Sequence, residues 1–210
     1  MKDTPGIEAA LELTETALDQ LITSELLANL PVVGIAFKVC KSISGIRERY
    51  YISKLASFVR ALERVPDEDR QDMLGLALTG EEERRKIGER LLLTLEQLSD
   101  SERPELMGTF FIAFIRSRID QTTLFRCWDA IETGYSGDLK DLLAAGVTNL
   151  DASDRDGYLQ NLLRTGLSKI QGLTAGNDGH MYYELSAFGK LFVTTYHENT
   201  MAEHDTANDS

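Results

Sequence analysis

Residues 29–65 read NLPVVGIAFKVCKSISGIRERYYISKLASFVRALERV, and this stretch is both the most apolar and the only basic part of the 210-residue chain. It holds seven Lys or Arg (Lys38, Lys41, Arg47, Arg49, Lys54, Arg60, Arg64) against two acids (Glu48, Glu63), a local charge of +5. The whole chain carries −12, so everything else sums to −17. Residues 32–42 are apolar nearly all round, as a buried helix is. Ser44-Gly45 breaks that pattern, and beyond it Ile52, Leu55, Phe58, Val59 and Leu62 recur at helical spacing. Burying those five side chains contributes roughly 1.5–3 kcal/mol each before chain entropy is counted. A basic, apolar helical pair is the hub around which the rest is read.

Upstream, residues 7–28 place Ile7, Leu11, Leu18, Leu21, Ile22 and Leu26 on one helical face, and Pro31 ends that helix or starts the next. Downstream, Pro66-Asp67-Glu68-Asp69 opens a short helix, with acids where the helix dipole is positive, and Thr79-Gly80 closes it. Residues 81–98 predict a long amphipathic helix with Ile87, Leu91, Leu92, Leu95 and Leu98 inward. Its Glu81-Glu82-Glu83 followed by Arg84-Arg85-Lys86 gives acid-to-base pairs three and four residues apart. Asp100 or Ser101 caps a further helix over 103–118, rich in Phe110, Phe111, Ile112, Phe114 and Ile115. Residues 1–118 therefore predict an all-α bundle.

From Ile119 the rhythm changes. Asp120 caps a helix over 121–133 containing Trp128; a short helix at 138–145 is closed by Gly146, and a third at 153–165 by Gly166. Leu167-Ser168-Lys169-Ile170 reads as a strand, residues 174–179 as turn chemistry, and Met181-Tyr182-Tyr183-Glu184-Leu185 as the return strand. Ser186 then caps a last helix to about Tyr196. Three helices, a hairpin and a closing helix, with the Leu185-Ser186-Ala187-Phe188-Gly189 step, resemble a bacterial winged-helix domain over 120–197. The N-terminal part resembles bacterial helical proteins of unassigned function that open with a Pro-Val-x-Gly helix followed by an arginine-rich one. No active site comes with either resemblance. The expected fold is mainly α: a helical bundle at 1–118, a winged-helix-like domain with one β-hairpin at 119–198, and a small polar tail at 199–210 expected to be disordered.

The composition narrows the function. Two cysteines, Cys40 and Cys127, lie in apolar helical patterns and read as buried free thiols, which suits a reducing cytoplasm. The opening Met1-Lys2-Asp3-Thr4-Pro5 lacks the features of a secretory signal. The longest apolar run is interrupted by Lys38 and Lys41 and falls short of the ~20 clean residues of a membrane span. His180, His197 and His204 have no Cys or Asp partner at a telling distance, no metal-ligand spacing occurs, and the glycines match no phosphate loop. The carboxylates at 67–69 and 81–83 sit where helix starts want acids. No catalytic, cofactor or metal residue is assigned, and the chain is expected to be no enzyme.

Partner-binding residues are instead sought among Lys38, Lys41, Arg49, Arg60 and Arg64 of the basic pair, with Arg155 and Arg164 of the third C-terminal helix. That pair either satisfies internal acids, meets an anionic protein or nucleic acid, or attaches to anionic lipid. Residues 119–198 hold six bases and eleven acids, and Asp154 and Asp156 are expected to repel a DNA backbone. The expectation is an interaction or regulatory subunit that docks onto a partner protein. The alternatives are a nucleic-acid-binding winged-helix regulator and a membrane-active helical protein.

Overall fold

The computed structural model describes residues 46–65, 80–100, 102–147, 153–154, 157–173 and 181–208. The helices read at 7–28, 32–42 and 66–78 lie outside these residues. Of the described chain 75% is helical, so the protein is mainly α. Seven α-helices are described: α1 (Ile46–Leu62), α2 (Glu81–Gln97), α3 (Arg103–Ile115), α4 (Gln121–Thr133), α5 (Ser136–Ala145), α6 (Tyr158–Asn161) and α7 (Ala187–Asn208). A small sheet holds β1 (Ser153–Asp154), β2 (Ser168–Leu173) and β3 (Met181–Leu185), and a 3-10 turn at Leu162–Thr165 follows α6. The chain forms two compact units, Met1–Gly108 and Thr109–Ser210. The boundary read from sequence lies ten residues further on, after residue 118.

In the first unit, the five apolar residues expected to face inward on α1 (Ile52, Leu55, Phe58, Val59 and Leu62) are all buried. On α2 Ile87, Leu91 and Leu95 are buried, and so is Leu98 just beyond its end, while Leu92 is half-buried. The charge order of α2 forms ion pairs Glu82–Lys86 and Arg85–Glu89, each at 2.8 Å. The α2–α3 corner is capped by Asp100, whose Oδ1 accepts from the backbone N–H groups of Glu102 (3.1 Å) and Arg103 (2.9 Å). The Arg103 side chain folds back, Nε to Asp100 Oδ2 at 2.6 Å and Nη2 to Ser99 Oγ at 2.8 Å. Gly108 sets the approach of α3 to α1. A Cβ there would lie 2.5 Å from Ala61 Cβ and 2.8 Å from the Phe58 carbonyl oxygen, so only glycine fits.

The second unit is built on aromatics. Phe110 packs against Phe192 with the rings tilted and their centroids 4.3 Å apart, and Trp128, fully buried, lies 6.3 Å from Phe111 and 6.0 Å from Phe125. Asp120 caps α4 by accepting from Thr123 N–H at 2.7 Å, and Gly166 closes the 3-10 turn in the left-handed region at φ 76. The sheet runs β1-β3-β2, antiparallel throughout. Ser168 pairs with Leu185, Lys169 with Glu184 and Ile170 with Tyr183; a bulge at Gln171 then shifts the register, and Gly172 faces Tyr182. The step from β3 into α7 has a steric basis. Ser186 Oγ donates to the Gly166 carbonyl (2.6 Å) and accepts from Gly189 N–H (2.9 Å), while Ser186 N–H donates to the Leu167 carbonyl (2.9 Å). Any side chain at position 189 would run into that same Leu167 carbonyl.

Three expectations change. The third helix of the C-terminal part begins at Tyr158, not near 153, because Gly157 takes an extended cap and Ser153–Asp154 instead pair with Glu184 and Tyr183 on the free edge of β3. Helix α3 stops at Ile115, short of 118. Arg118 N–H donates to Ala113 O (2.9 Å) and Ser117 N–H to Phe114 O (2.8 Å), a Schellman ending with Ser117 at φ 55. Helix α7 runs on to Asn208, through most of the segment expected as a disordered tail.

Candidate functional site

Of the basic stretch, the side chains of Lys54, Arg60 and Arg64 are described. Lys54, on α1, is only 3% exposed, and its ammonium donates to three carbonyl oxygens at the end of α2: Leu95 (2.8 Å), Glu96 (3.2 Å) and Leu98 (2.7 Å). Three donors meet three acceptors at the negative end of a helix, where carbonyls lack partners within the helix. Tyr50 completes the arrangement, its ring 4.8 Å from Lys54 Nζ and its hydroxyl donating to Ser99 O at 2.5 Å. Arg64 pairs with Glu105, both partly exposed. Arg60 is exposed in the last turn of α1. Arg49 lies in α1, where its backbone alone is described, and Lys38, Lys41 and Arg155 fall outside the described residues. Arg164 is exposed at the end of the 3-10 turn. Asp154 sits on the sheet, so the short helical stretch carries exposed Gln160, Asn161 and Arg164 and no acid.

The hairpin separates two chemistries by face. Lys169 and Glu184, directly opposite, form an ion pair at 2.8 Å. On the other face Leu185 and Ser168 are buried at the base. Tyr183 and Ile170 come next, then Met181, whose sulfur lies 3.8 Å from the Tyr183 hydroxyl. Burial fades along this row, from Leu185 at 4% exposed and Tyr183 at 7% to Ile170 at 47% and Met181 at 46%. Leu163, on the 3-10 turn before β2, adds a further exposed apolar side chain. The outer part of an apolar sheet face is thus open to solvent.

One cluster escaped the sequence reading. Arg116 and Arg118 flank Ser117, and each donates from Nη1 to the same atom, Asn199 Oδ1, at 3.3 and 3.2 Å. Asn199 is fully buried on α7, and its amide orientation is fixed because Nδ2 donates to the Thr195 carbonyl at 2.8 Å. Asn199 is neutral and itself offsets neither guanidinium charge, and Arg116 makes further contacts of its own. The only sequence signal was an Arg-x-Arg spacing, which inside a helix would splay the two side chains apart.

Two further reactive groups among the described residues, Cys127 and His197, are engaged within the fold. Cys127 is a buried free thiol, and burial pushes its pKa well up, so it stays protonated at neutral pH. His197 lies on α7, where its Nε2 bonds the Leu143 carbonyl at 2.9 Å; a carbonyl only accepts, so the ring presents Nε2–H there. Among the described residues, no three His, Cys, Asp or Glu are grouped to hold a metal ion, and no helix is long and apolar enough to cross a membrane. Comparison with protein-family models, curated proteins and solved structures gives no match for this chain.

Proposed function

We propose that this chain is a non-enzymatic bacterial interaction subunit that docks a partner protein through a winged-helix-like C-terminal unit. The observation that carries the reading is the open apolar end of the hairpin, Ile170 and Met181, with the one described cation on the strands, Lys169, engaged by Glu184. Covering apolar surface is worth about 25 cal/mol per Å², and a protein partner supplies that cover. A phosphate backbone demands cations. The order helix, helix, strand, helix, strand, strand, helix supports the winged-helix comparison, and the buried thiol of Cys127 fits a reducing cytoplasm.

The nucleic-acid reading is favoured by one observation: Gln160, Asn161 and Arg164 are exposed on a stretch without acids. A photo-crosslinking side chain at position 170 separates the two. The docking reading expects one protein adduct in cells, lost on Met181→Glu, and at most weak, salt-sensitive duplex binding in mobility shifts. Sub-micromolar, sequence-selective DNA binding abolished by Arg164→Glu would reverse the choice.

A further inference from the structure

We propose that Arg126, on α4, anchors a docking surface for a partner segment that carries an Asp or Glu beside an apolar side chain, separate from the open end of the hairpin. Three observations lead there. First, the Arg126 guanidinium lies over the Phe188 ring, 4.2 Å from its centroid, which ties it to the first turn of α7. A cation over a ring is held by the ring's negative face and spends none of its five N–H donors on an acceptor. Second, Arg126 is exposed, and it makes no hydrogen bond or ion pair with any described residue. Its donors are therefore held in place and open to solvent, so part of the side-chain ordering that a partner would otherwise require is done in advance. Third, apolar surface lies beside it. Leu191 follows Phe188 by three residues and Ala187 precedes Leu191 by four, so the three neighbour one another on α7. Leu191 is 41% exposed and Ala187 is exposed too.

One cation matches one monoanion. A carboxylate offers two coplanar oxygens to the planar fork of an arginine, and the aliphatic side chain beside it covers Leu191 and Ala187. A phosphate chain suits the place less. It is held by several cations, and the other base on α4 and α7 whose side chain is described, Lys190, is half-buried and makes an interaction of its own. Asp129, exposed one helical turn beyond Arg126, also has its own interaction, and its charge opposes an extended polyanion more than a single carboxylate seated on Arg126. The −12 charge of the whole chain is screened beyond about 8 Å at physiological salt, so the contact is decided locally.

The probe is a displayed random-peptide library, selected on the full chain at physiological salt and counter-selected on Arg126→Gln. Arg126 is exposed, so Arg126→Gln should keep the wild-type far-ultraviolet circular dichroism. Peptides that survive should carry an Asp or Glu next to an aliphatic residue. Synthesised with a C-terminal amide, so that only side-chain carboxylates are offered, such a peptide should bind the wild type saturably in fluorescence anisotropy. It should lose at least about tenfold in affinity on Arg126→Gln. Arg126→Lys, which keeps the charge without the fork, should fall between, and Leu191→Asp should weaken binding as well. Met181→Glu, on the hairpin, should leave it unchanged. Arg126→Glu should prefer the same peptide with its acid replaced by Lys. The proposal is overturned if no peptide depends on Arg126, or if those that do lack an acid. Loss of binding on Met181→Glu, or a short duplex oligonucleotide displacing the peptide at lower concentration than the peptide itself, would also overturn it.

Discussion

Replacing Lys54 by Met would remove an ammonium while keeping most of the apolar stem in place. Leu95 and Leu98, two of the residues whose carbonyls it serves, are 0% and 2% exposed, whereas Glu96 is exposed and its carbonyl can be rehydrated. Stranding a buried acceptor costs about 1–3 kcal/mol, so two stranded carbonyls cost roughly 2–6 kcal/mol. Part of this returns, because the variant no longer desolvates a cation. A net loss of about 2–4 kcal/mol is expected, which for a chain of this length lowers Tm by about 5–15 °C. Arg85→Met is the control: Arg85 is 55% exposed and its partner Glu89 49%, so its loss should stay within about 0.5 kcal/mol. Urea titration reads the difference as a shifted midpoint at constant slope. If Lys54→Met and Arg85→Met unfold at the same urea concentration, the three carbonyl bonds do not hold α1 to the end of α2.

Gly189→Ala should lose at least about 3 kcal/mol or fail to fold, because its Cβ would occupy the place of the Leu167 carbonyl. Gly172→Ala, where nothing lies within 4 Å, should unfold close to the wild-type midpoint. The acid limb tests the α2–α3 corner. Burial raises the pKa of Asp100, but hydrogen bonds from the Arg103 backbone and side chain outweigh it and hold the carboxyl below its usual 3.8. A depressed carboxyl contributes stability above its unfolded pKa and loses it as pH falls through the folded value. Asp100→Asn keeps a capping side chain, so the stability gap between it and the wild type should be open at pH 7 and close below 3.8. A gap that persists undiminished at pH 3 would show that the charge is not what Asp100 contributes.

The elements with local signals were legible before any coordinates. Asp120, Gly146, Gly166 and Ser186 mark helix ends because capping is a matter of adjacent residues, and the β3 limits follow from a run of strand-forming side chains. What escaped the reading depends on distance along the chain. Lys54 looks like one more surface cation, because the carbonyls that claim it lie more than forty residues away. Arg116 and Arg118 look like the tail of a helix, since nothing in Arg-Ser-Arg announces a left-handed serine. A two-residue strand such as β1 has no periodicity to read; it exists because β3 offers backbone groups on that side, and it drew Asp154 away from the helix on which it had been counted. Of the arginines expected to bind a partner, Arg64 pairs with Glu105, while Arg60 and Arg164 are exposed.

The extra residue Gln171 in β2 bears on how such a protein survives among many copies of itself. β2 is an outer strand, and Lys169, Ile170, Gln171 and Gly172 are all exposed. A straight, apolar outer strand invites another chain to zip along it and so seeds fibrils. The bulge interrupts the spacing of N–H and C=O groups after Ile170, so an approaching strand loses its match within a few residues. Ile170 can then be offered to solvent as a side chain without offering the backbone as a template.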